Sequence, residues 1–186
     1  MPARRARARI FSIEGEWSER LTDRRSAEPL LNVLRAVESI DSVYARVATR
    51  SSLRLRLRRW CEASGRHYEV LHLSFHGPPG LIEVGDATVS LGELSDWIAG
   101  AADGRTIYFD ACETFRVDRT EIERFRRSTG ARIVAGFTKS VGWLESAAFD
   151  LLLLDALAYS RRRGDAERWM RRHHGEFCDR LGLVIA

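Results

Sequence analysis

The sequence has one lysine and no apolar run long enough to cross a bilayer. Lys139 stands alone among 30 Lys and Arg residues, a bias that coding preference explains better than function. Glu and Asp are mixed with the arginines through most of the chain, whereas a nucleic-acid-binding face would gather cations without interleaved acids. The longest apolar stretch, 149–157, contains Asp150 and Asp155 and is too short for a membrane span. We therefore expect no nucleic-acid partner and no membrane insertion.

Cysteine is also scarce. Cys61, Cys112 and Cys178 are an odd number at unrelated spacings, so neither a disulfide framework nor a zinc motif is visible. We expect a cytoplasmic protein with reduced thiols and with no metal or cofactor. Residues 1–9 are basic but no apolar segment follows them, so we interpret them as a tail and not as a secretory signal.

Length and composition favour one globular domain. The chain has 186 residues, of which 45% are apolar and 30% are charged, with a net charge of +4; this is enough for one sizeable core. Strand-like and helix-like segments alternate along 10–186, which predicts a doubly wound, three-layer α/β domain. We expect a mostly parallel sheet of five or six strands with helices on both faces. The strands are predicted at 10–13, 43–48, 68–75, 105–109, 131–136 and 183–185.

Two segments before the third strand need interpretation. In 52–60, Leu and Arg alternate with period two, yet the apolar residues also fit helical spacing. We favour a helix there, because a parallel crossover needs about a dozen residues or more. Ser26 is predicted to cap an earlier helix whose apolar positions extend to Ile40. The polar residues 14–25 are predicted to form a loop over the sheet edge.

The segment between the third and fourth strands contains clear turn and capping signals. Residues 80–89 are predicted to form a small hairpin that turns at Gly85 and Asp86. Ser90 and Glu93 match a capping box and predict a helix start. Gly130 is predicted to end a later helix.

Two of the predicted strands end in reactive side chains. The third strand stops at His76, because Gly77 and the two prolines after it cannot continue a strand. The fourth stops at Cys112. If these strands are parallel neighbours, His76 and Cys112 lie side by side at the carboxyl edge, where open α/β sheets hold their sites.

A thiol and an imidazole at this edge can carry out acyl transfer. His76 would act as the general base for the Cys112 thiol. Gly77 lacks a Cβ, so its N–H can approach a substrate carbonyl closely. The N–H of Cys112 would be the second donor to the oxyanion.

The residues around this pair resemble the motifs of the caspase-like cysteine peptidases, a clan that includes caspases, metacaspases and bacterial CHAT-domain peptidases. His-Leu-Ser-Phe-His-Gly at 72–77 matches the H-x-S-x-H-G signature of the clan, and Asp-Ala-Cys at 110–112 matches its second signature. The resemblance covers residues 10 to about 159. It implies a caspase-like fold, a His76–Cys112 dyad and an oxyanion hole at Gly77 and Cys112. It also implies a structural role for His72.

The sequence departs from the caspases in three respects. The interval from His76 to Cys112 is shorter than the roughly 50 residues of caspases. No long linker follows Cys112, so cleavage into large and small subunits is not expected. The caspase Gln-Ala-Cys-x-Gly signature is also absent. The chain therefore resembles a compact bacterial form, and the resemblance implies an effector in bacterial defence, including antiviral defence, or in cell death.

Two charged residues are candidates for binding the substrate, and they favour opposite charges at P1. In metacaspases, the Asp at the position of Asp110 helps form an acidic pocket, so the resemblance implies an Arg or Lys at P1. Lys139 lies in the loop after the fifth strand, which forms a pocket wall in this clan and would here favour an acidic P1. The two residues could also pair and leave a neutral pocket. We slightly favour a basic P1.

Three functions are compared. The first is a cysteine endopeptidase that cleaves protein or peptide substrates, with a possible activating protein partner. The second is a catalytically silent caspase-like module that binds a protein partner through the same cleft; the presence of both His76 and Cys112 argues against it. The third is a nucleotide-binding domain, which is disfavoured because no Gly-rich phosphate loop follows the first strand.

Overall fold

A mostly parallel sheet forms the centre of the protein. The structure is a computed structural model that describes residues 8–18, 20, 22–37, 39–140, 142–160, 162 and 164–186. Within these residues the sheet has six strands, in the spatial order β2-β1-β3-β6-β7-β8, and the last of them runs antiparallel to its neighbour. The strands are β1 (Ala8–Glu14), β2 (Ile40–Arg46), β3 (Val70–Ser74), β6 (Thr106–Asp110), β7 (Ile133–Phe137) and β8 (Leu183–Ile185), and a separate hairpin consists of β4 (Leu81–Val84) and β5 (Ala87–Ser90).

Helices cover both faces of this sheet. They are α1 (Glu28–Ala36), α2 (Arg50–Cys61), α3 (Leu91–Ile98), α4 (Arg119–Thr129), α5 (Trp143–Tyr159) and α6 (Asp165–Leu181). Helices α2, α3 and α4 pack into one apolar cluster, and α1, α5 and α6 pack into another. The predicted doubly wound, three-layer α/β architecture is therefore confirmed.

The alternation of side chains gives each central strand two different faces. In β3, Leu71 and Leu73 belong to the apolar cluster under α2, α3 and α4, whereas Val70 belongs to the opposite cluster. In β6, Phe109 and Tyr108 are divided in the same way. Even-numbered residues of both strands thus face α1 and α5, as expected for a period of two.

Strands β3 and β6 are parallel neighbours, which was the condition for a shared site. Ser74 is opposite Asp110 in their register, and the Phe75 N–H donates to the Asp110 carbonyl at 3.0 Å. His76 and Cys112 each follow this pair by two residues. They are therefore at equivalent positions beyond the carboxyl end of the sheet.

Several local predictions are confirmed. The ambiguous 52–60 segment is helical within α2, and the predicted hairpin is β4–β5. Ser90 and Glu93 form a capping box at the start of α3. Gly130 ends α4 in the left-handed region, with φ of 76°, and 183–185 form the final strand.

The prediction for the first helix was wrong at both ends. Ala27 occupies the N-cap of α1, and the helix ends at Ala36. Ser26 lies one residue before this N-cap, where its hydroxyl accepts from the Glu28 N–H at 3.1 Å and donates to the Glu14 carboxylate. Ile40 instead starts β2, where pairing with β1 and full burial outweigh its helical spacing from earlier apolar residues.

Two further predictions concern the chain outside the central layers. The basic tail was predicted at 1–9; residues 1–7 lie outside the described residues, and residues 8 and 9 already belong to β1. Among the described helices, none is both long and apolar enough to cross a membrane.

Candidate active site

A pocket lies at the carboxyl edge of β3 and β6, on the face covered by α1 and α5. It contains about 550 Å³ of empty space, part of which is open to solvent. His76 and Cys112 both line it, as do Asp110 and residues of the loop 15–27. The pocket therefore brings together three of the residues that the sequence singled out.

Cys112 and His76 present a thiol and an imidazole to the same space. Both residues are half-buried, and Cys112 is not in a disulfide. Main-chain hydrogen bonds hold the backbone at both positions. The Glu83 N–H donates to the His76 carbonyl at 2.8 Å, and the N–H of Glu113, the residue after Cys112, donates to the Lys139 carbonyl at 3.3 Å. A thiol and an imidazole on neighbouring strand ends that line one pocket can serve as a nucleophile and its base when they come within hydrogen-bond reach.

The main chain of Trp17 orients His76. The Nε2 atom of His76 lies 2.9 Å from the Trp17 carbonyl oxygen. Because a carbonyl oxygen only accepts hydrogen bonds, Nε2 must carry the proton and donate it. The Trp17 ring also packs edge-on against the imidazole, with centroids 4.9 Å apart. In the neutral ring, Nδ1 then keeps the lone pair that a general base needs.

Gly77 follows His76 in a crowded place. A Cβ on this residue would collide with the Thr114 hydroxyl and would lie 2.6 Å from the Leu81 carbonyl oxygen. Glycine is therefore required here for packing, whatever its role toward a substrate. The Gly77 N–H has no hydrogen-bond partner among the described residues, so it is available to an incoming acceptor.

Asp110 is a buried carboxylate held by three side chains. It accepts hydrogen bonds from Ser74 at 2.6 Å and from Ser146 at 3.1 Å, and His72 Nε2 lies 3.7 Å from its Oδ2. Burial opposes its ionisation, but the interactions with His72, Ser74 and Ser146 outweigh that effect and hold the pKa of Asp110 below its ordinary value. The pocket wall therefore carries a negative charge.

A second carboxyl group, Asp150, lies beside it and ionises less readily. Asp150 is 1% exposed and accepts a hydrogen bond from the Tyr108 hydroxyl. Burial and the charge of Asp110 raise the pKa of Asp150 well above its ordinary value. Burial, together with the charges of Asp150 and Asp110, likewise raises the pKa of Tyr108. Asp110 therefore ionises more readily than Asp150, and the negative charge of the pocket wall comes first from Asp110.

Lys139 does not share this pocket. It is not among the described residues that line the cavity, and its amine donates to the Asp179 carbonyl at 2.7 Å, near the end of α6. Asp110 is engaged with other side chains, so the two charges do not pair. Lys139 therefore lies outside the lining of this cavity, and its role toward a substrate stays a prediction.

Comparison with known proteins identifies the family but no activity. A model for a family of unknown function, DUF6642, matches residues 7–185. The chain belongs to this family. No curated protein sequence matches it.

Several residues of this site were missed by reasoning from the sequence. Trp17 and Ser146 line the pocket, but neither of them stands at the end of a strand or in a motif. Glu14 was seen only as the start of a polar loop, although its side chain is fully buried. Its position at the carboxyl end of β1, beside β3, was the one signal that pointed to the site.

Proposed function

We propose that the chain is a cysteine endopeptidase in which Cys112 is the nucleophile and His76 is the general base. The observation that carries the proposal is their placement: both follow the paired β3 and β6 by two residues and line one pocket. The hydrogen bond from His76 to the Trp17 carbonyl supports it further, because it leaves Nδ1 able to accept a proton.

The reaction would proceed through a thioester. The Sγ proton of Cys112 passes to Nδ1 of His76 while the sulfur attacks the scissile carbonyl carbon. The C–N bond breaks, and the imidazolium gives its proton to the leaving amine. Water then loses a proton to the same imidazole and attacks the thioester, the S–C bond breaks, and the sulfur recovers its proton.

The oxyanion would be stabilised by main-chain donors. The Gly77 N–H has no partner among the described residues, which leaves it able to donate to a developing negative charge. The N–H of Cys112 is the second donor of this proposal. Preorganised main-chain donors of this kind contribute about 10²–10³-fold in rate per donor.

The pocket charge supports a basic residue at P1. Asp110 carries a negative charge on the wall, and the indole rings of Trp17 and Trp143 line the same space. Arg25 also lines the pocket, but its guanidinium is paired with Asp23 at 2.7 Å. A guanidinium or ammonium group of a substrate would therefore meet the Asp110 carboxylate and aromatic walls.

The resemblance to compact caspase-like peptidases extends the proposal to biology. It supports a cytoplasmic effector of bacterial defence or cell death that acts on protein substrates. An activating protein partner is compatible with this role.

Labelling with a peptidyl electrophile tests the function. We expect an acyloxymethyl ketone with Arg at P1 to modify Cys112, as located by mass spectrometry, and we expect its Asp counterpart to react more slowly. Cys61 and Cys178 serve as internal controls because neither lines the pocket. Equal labelling of Cys61 and Cys112 would reject an activated nucleophile. The absence of both labelling and cleavage would favour a silent module that binds a partner.

A further inference from the structure

A fully buried carboxylate stands at the carboxyl end of β1. Glu14 is 0% exposed, and its position in β1 is opposite Ser74 of β3. Its two oxygens accept hydrogen bonds from five groups: Trp17 Nε1 at 2.6 Å, Ala27 N at 2.7 Å, Ser26 Oγ at 2.8 Å, the Tyr44 hydroxyl and Arg46 at 3.5 Å. A buried acceptor that serves so many donors is costly to replace.

Three of these donors come from the two ends of the loop 15–27. Trp17 lies near its beginning, and Ser26 and Ala27 lie at its end. The Glu14 carboxylate therefore closes the loop on itself. Arg46 of β2 adds a second tie, because it donates to the Arg25 carbonyl at 3.0 Å.

The same loop supplies the acceptor for His76. The Trp17 residue that donates its indole N–H to Glu14 also accepts the His76 Nε2–H with its carbonyl oxygen. Arg25 donates to that carbonyl as well, at 3.2 Å. One residue thus connects the buried carboxylate with the imidazole in the pocket.

We propose that Glu14 is a positioning residue, which acts through Trp17 to hold His76 in the Nε2-protonated form. This inference rests on the peptidase function proposed above. If the Trp17 carbonyl moves away, the imidazole loses the acceptor that fixes its tautomer. The fraction with a proton on Nδ1 cannot take the proton of Cys112 and is inactive.

A carboxylate is needed because both of its oxygens are acceptors. Glutamine has the same shape but offers one acceptor oxygen and an NH₂ donor. In Glu14→Gln, the NH₂ group would face either the N–H donors of Trp17 and Ala27, or the guanidinium of Arg46 together with the two hydroxyl groups that share its oxygen. The variant therefore tests the acceptor function with little change in side-chain volume.

Two variants and a matched control test the proposal. Trp17→Phe removes one N–H donor to Glu14 and keeps an aromatic ring beside His76. Trp97→Phe makes the same chemical change on α3, where the ring packs near Arg50 and Arg54 away from the pocket. Glu14→Gln replaces one of the two acceptor oxygens of the Glu14 carboxylate with an NH₂ donor.

The primary measurement is the tautomer of His76. Ring ¹⁵N spectra of histidine-labelled protein report it, and a His76→Gln sample assigns the signals. We expect Nε2–H in the parent and in Trp97→Phe, and a mixture of tautomers in Trp17→Phe and Glu14→Gln. We also expect both variants to lower kcat and the alkylation rate of Cys112 by about 10- to 10²-fold, with a smaller change in KM for Glu14→Gln.

The two proposals fail in different ways. If Trp17→Phe is folded and keeps the parent tautomer, the positioning role is wrong even when the parent cleaves peptides. If the parent shows no peptide cleavage and the tautomer still shifts in the variants as expected, the positioning role of Glu14 is supported and the peptidase function is wrong. Should Glu14→Gln not fold, Trp17→Phe alone decides, because it removes a single donor.

Discussion

The two faces of the central sheet differ in the side chains that they bury. On the side of α2, α3 and α4, β3 and β6 present Leu71, Leu73 and Phe109, which belong to an apolar cluster. On the opposite side, alternate positions of the same strands carry buried polar groups, including His72 and Asp110. Because neighbouring residues of a strand point to opposite faces, one strand can serve packing and chemistry separately. Substitutions where the polar face meets the pocket should therefore alter reactivity, whereas those deeper in the sheet or on the apolar side should alter stability.

The two partly buried thiols of the chain offer the sharpest contrast. Cys112→Ala should lower peptide cleavage on the order of 10⁴-fold or more, because the nucleophile is removed. Cys61→Ala, at the end of α2 and packed against the apolar cluster, should leave the rate nearly unchanged. Steady-state kinetics and circular dichroism on both variants measure this. Cleavage by Cys112→Ala at the parent rate would remove the nucleophile assignment.

The two histidines of the motif should separate rate from stability. His76→Ala should lose on the order of 10²-fold or more in rate, the usual effect of removing a general base. His72 is buried, hydrogen bonds with Ser12 at 3.0 Å and lies near Asp110. His72→Ala should therefore lower the free energy of unfolding by about 2–4 kcal/mol with a smaller loss of rate.

Kinetics and denaturant unfolding on the same preparations distinguish the two histidine roles. Equal and complete loss of activity in both folded variants would show that the comparison does not identify the base.

Asp110 tests whether the polar face also selects the substrate. Asp110→Asn should reduce cleavage after Arg or Lys about tenfold or more, because the charged partner of the P1 side chain is lost. Reaction of Cys112 with a small neutral alkylating agent should become faster, since a nearby negative charge no longer opposes the thiolate. Lys139→Ala should have a smaller effect, because its amine binds the Asp179 carbonyl outside the pocket.

A P1-varied fluorogenic peptide library measures these preferences in the parent and in both variants. If the parent prefers Asp or Glu at P1 and Lys139→Ala loses this preference, the P1 pocket is basic and the prediction of a basic P1 residue is wrong.

Asp150 should make the smallest contribution, through pH. An aspartic acid in the unfolded chain ionises near pH 3.9, whereas burial and the charge of Asp110 keep Asp150 protonated to a higher pH in the folded state. Its contribution to stability therefore falls as the pH rises above about 4, because only the unfolded chain gains from ionisation. Asp150→Asn should raise the free energy of unfolding at pH 7.5 by about 1 kcal/mol and change it less at pH 4.

Denaturant unfolding at both pH values measures this effect. Asp96→Asn, on the exposed side of α3, is the matched control and should show no such dependence. A loss of stability in Asp150→Asn that is equal at both pH values would mean that its hydrogen bond with Tyr108 matters more than its ionisation.

Much of the architecture was determined by the sequence alone. Buried apolar runs set β3 and β6, and capping residues and Gly130 set several helix ends, because these signals depend on neighbouring residues only. The equivalence of His76 and Cys112 also followed from the sequence, since both end strands that a crossover makes parallel. Ile40 was misassigned because helical spacing and strand pairing compete, and the pairing with β1 is a distant contact.

The partners of the buried carboxylates were decided by the tertiary structure. Asp110 meets Ser146 of α5, and Glu14 meets Trp17 at one end of a loop and Ala27 at the other. No periodicity or motif in the sequence predicts such pairs, because the paired residues come close only when the chain has folded. The chain order thus determined where a thiol and an imidazole would stand, and long-range hydrogen bonds decided how the imidazole is oriented and which carboxyl group carries the charge.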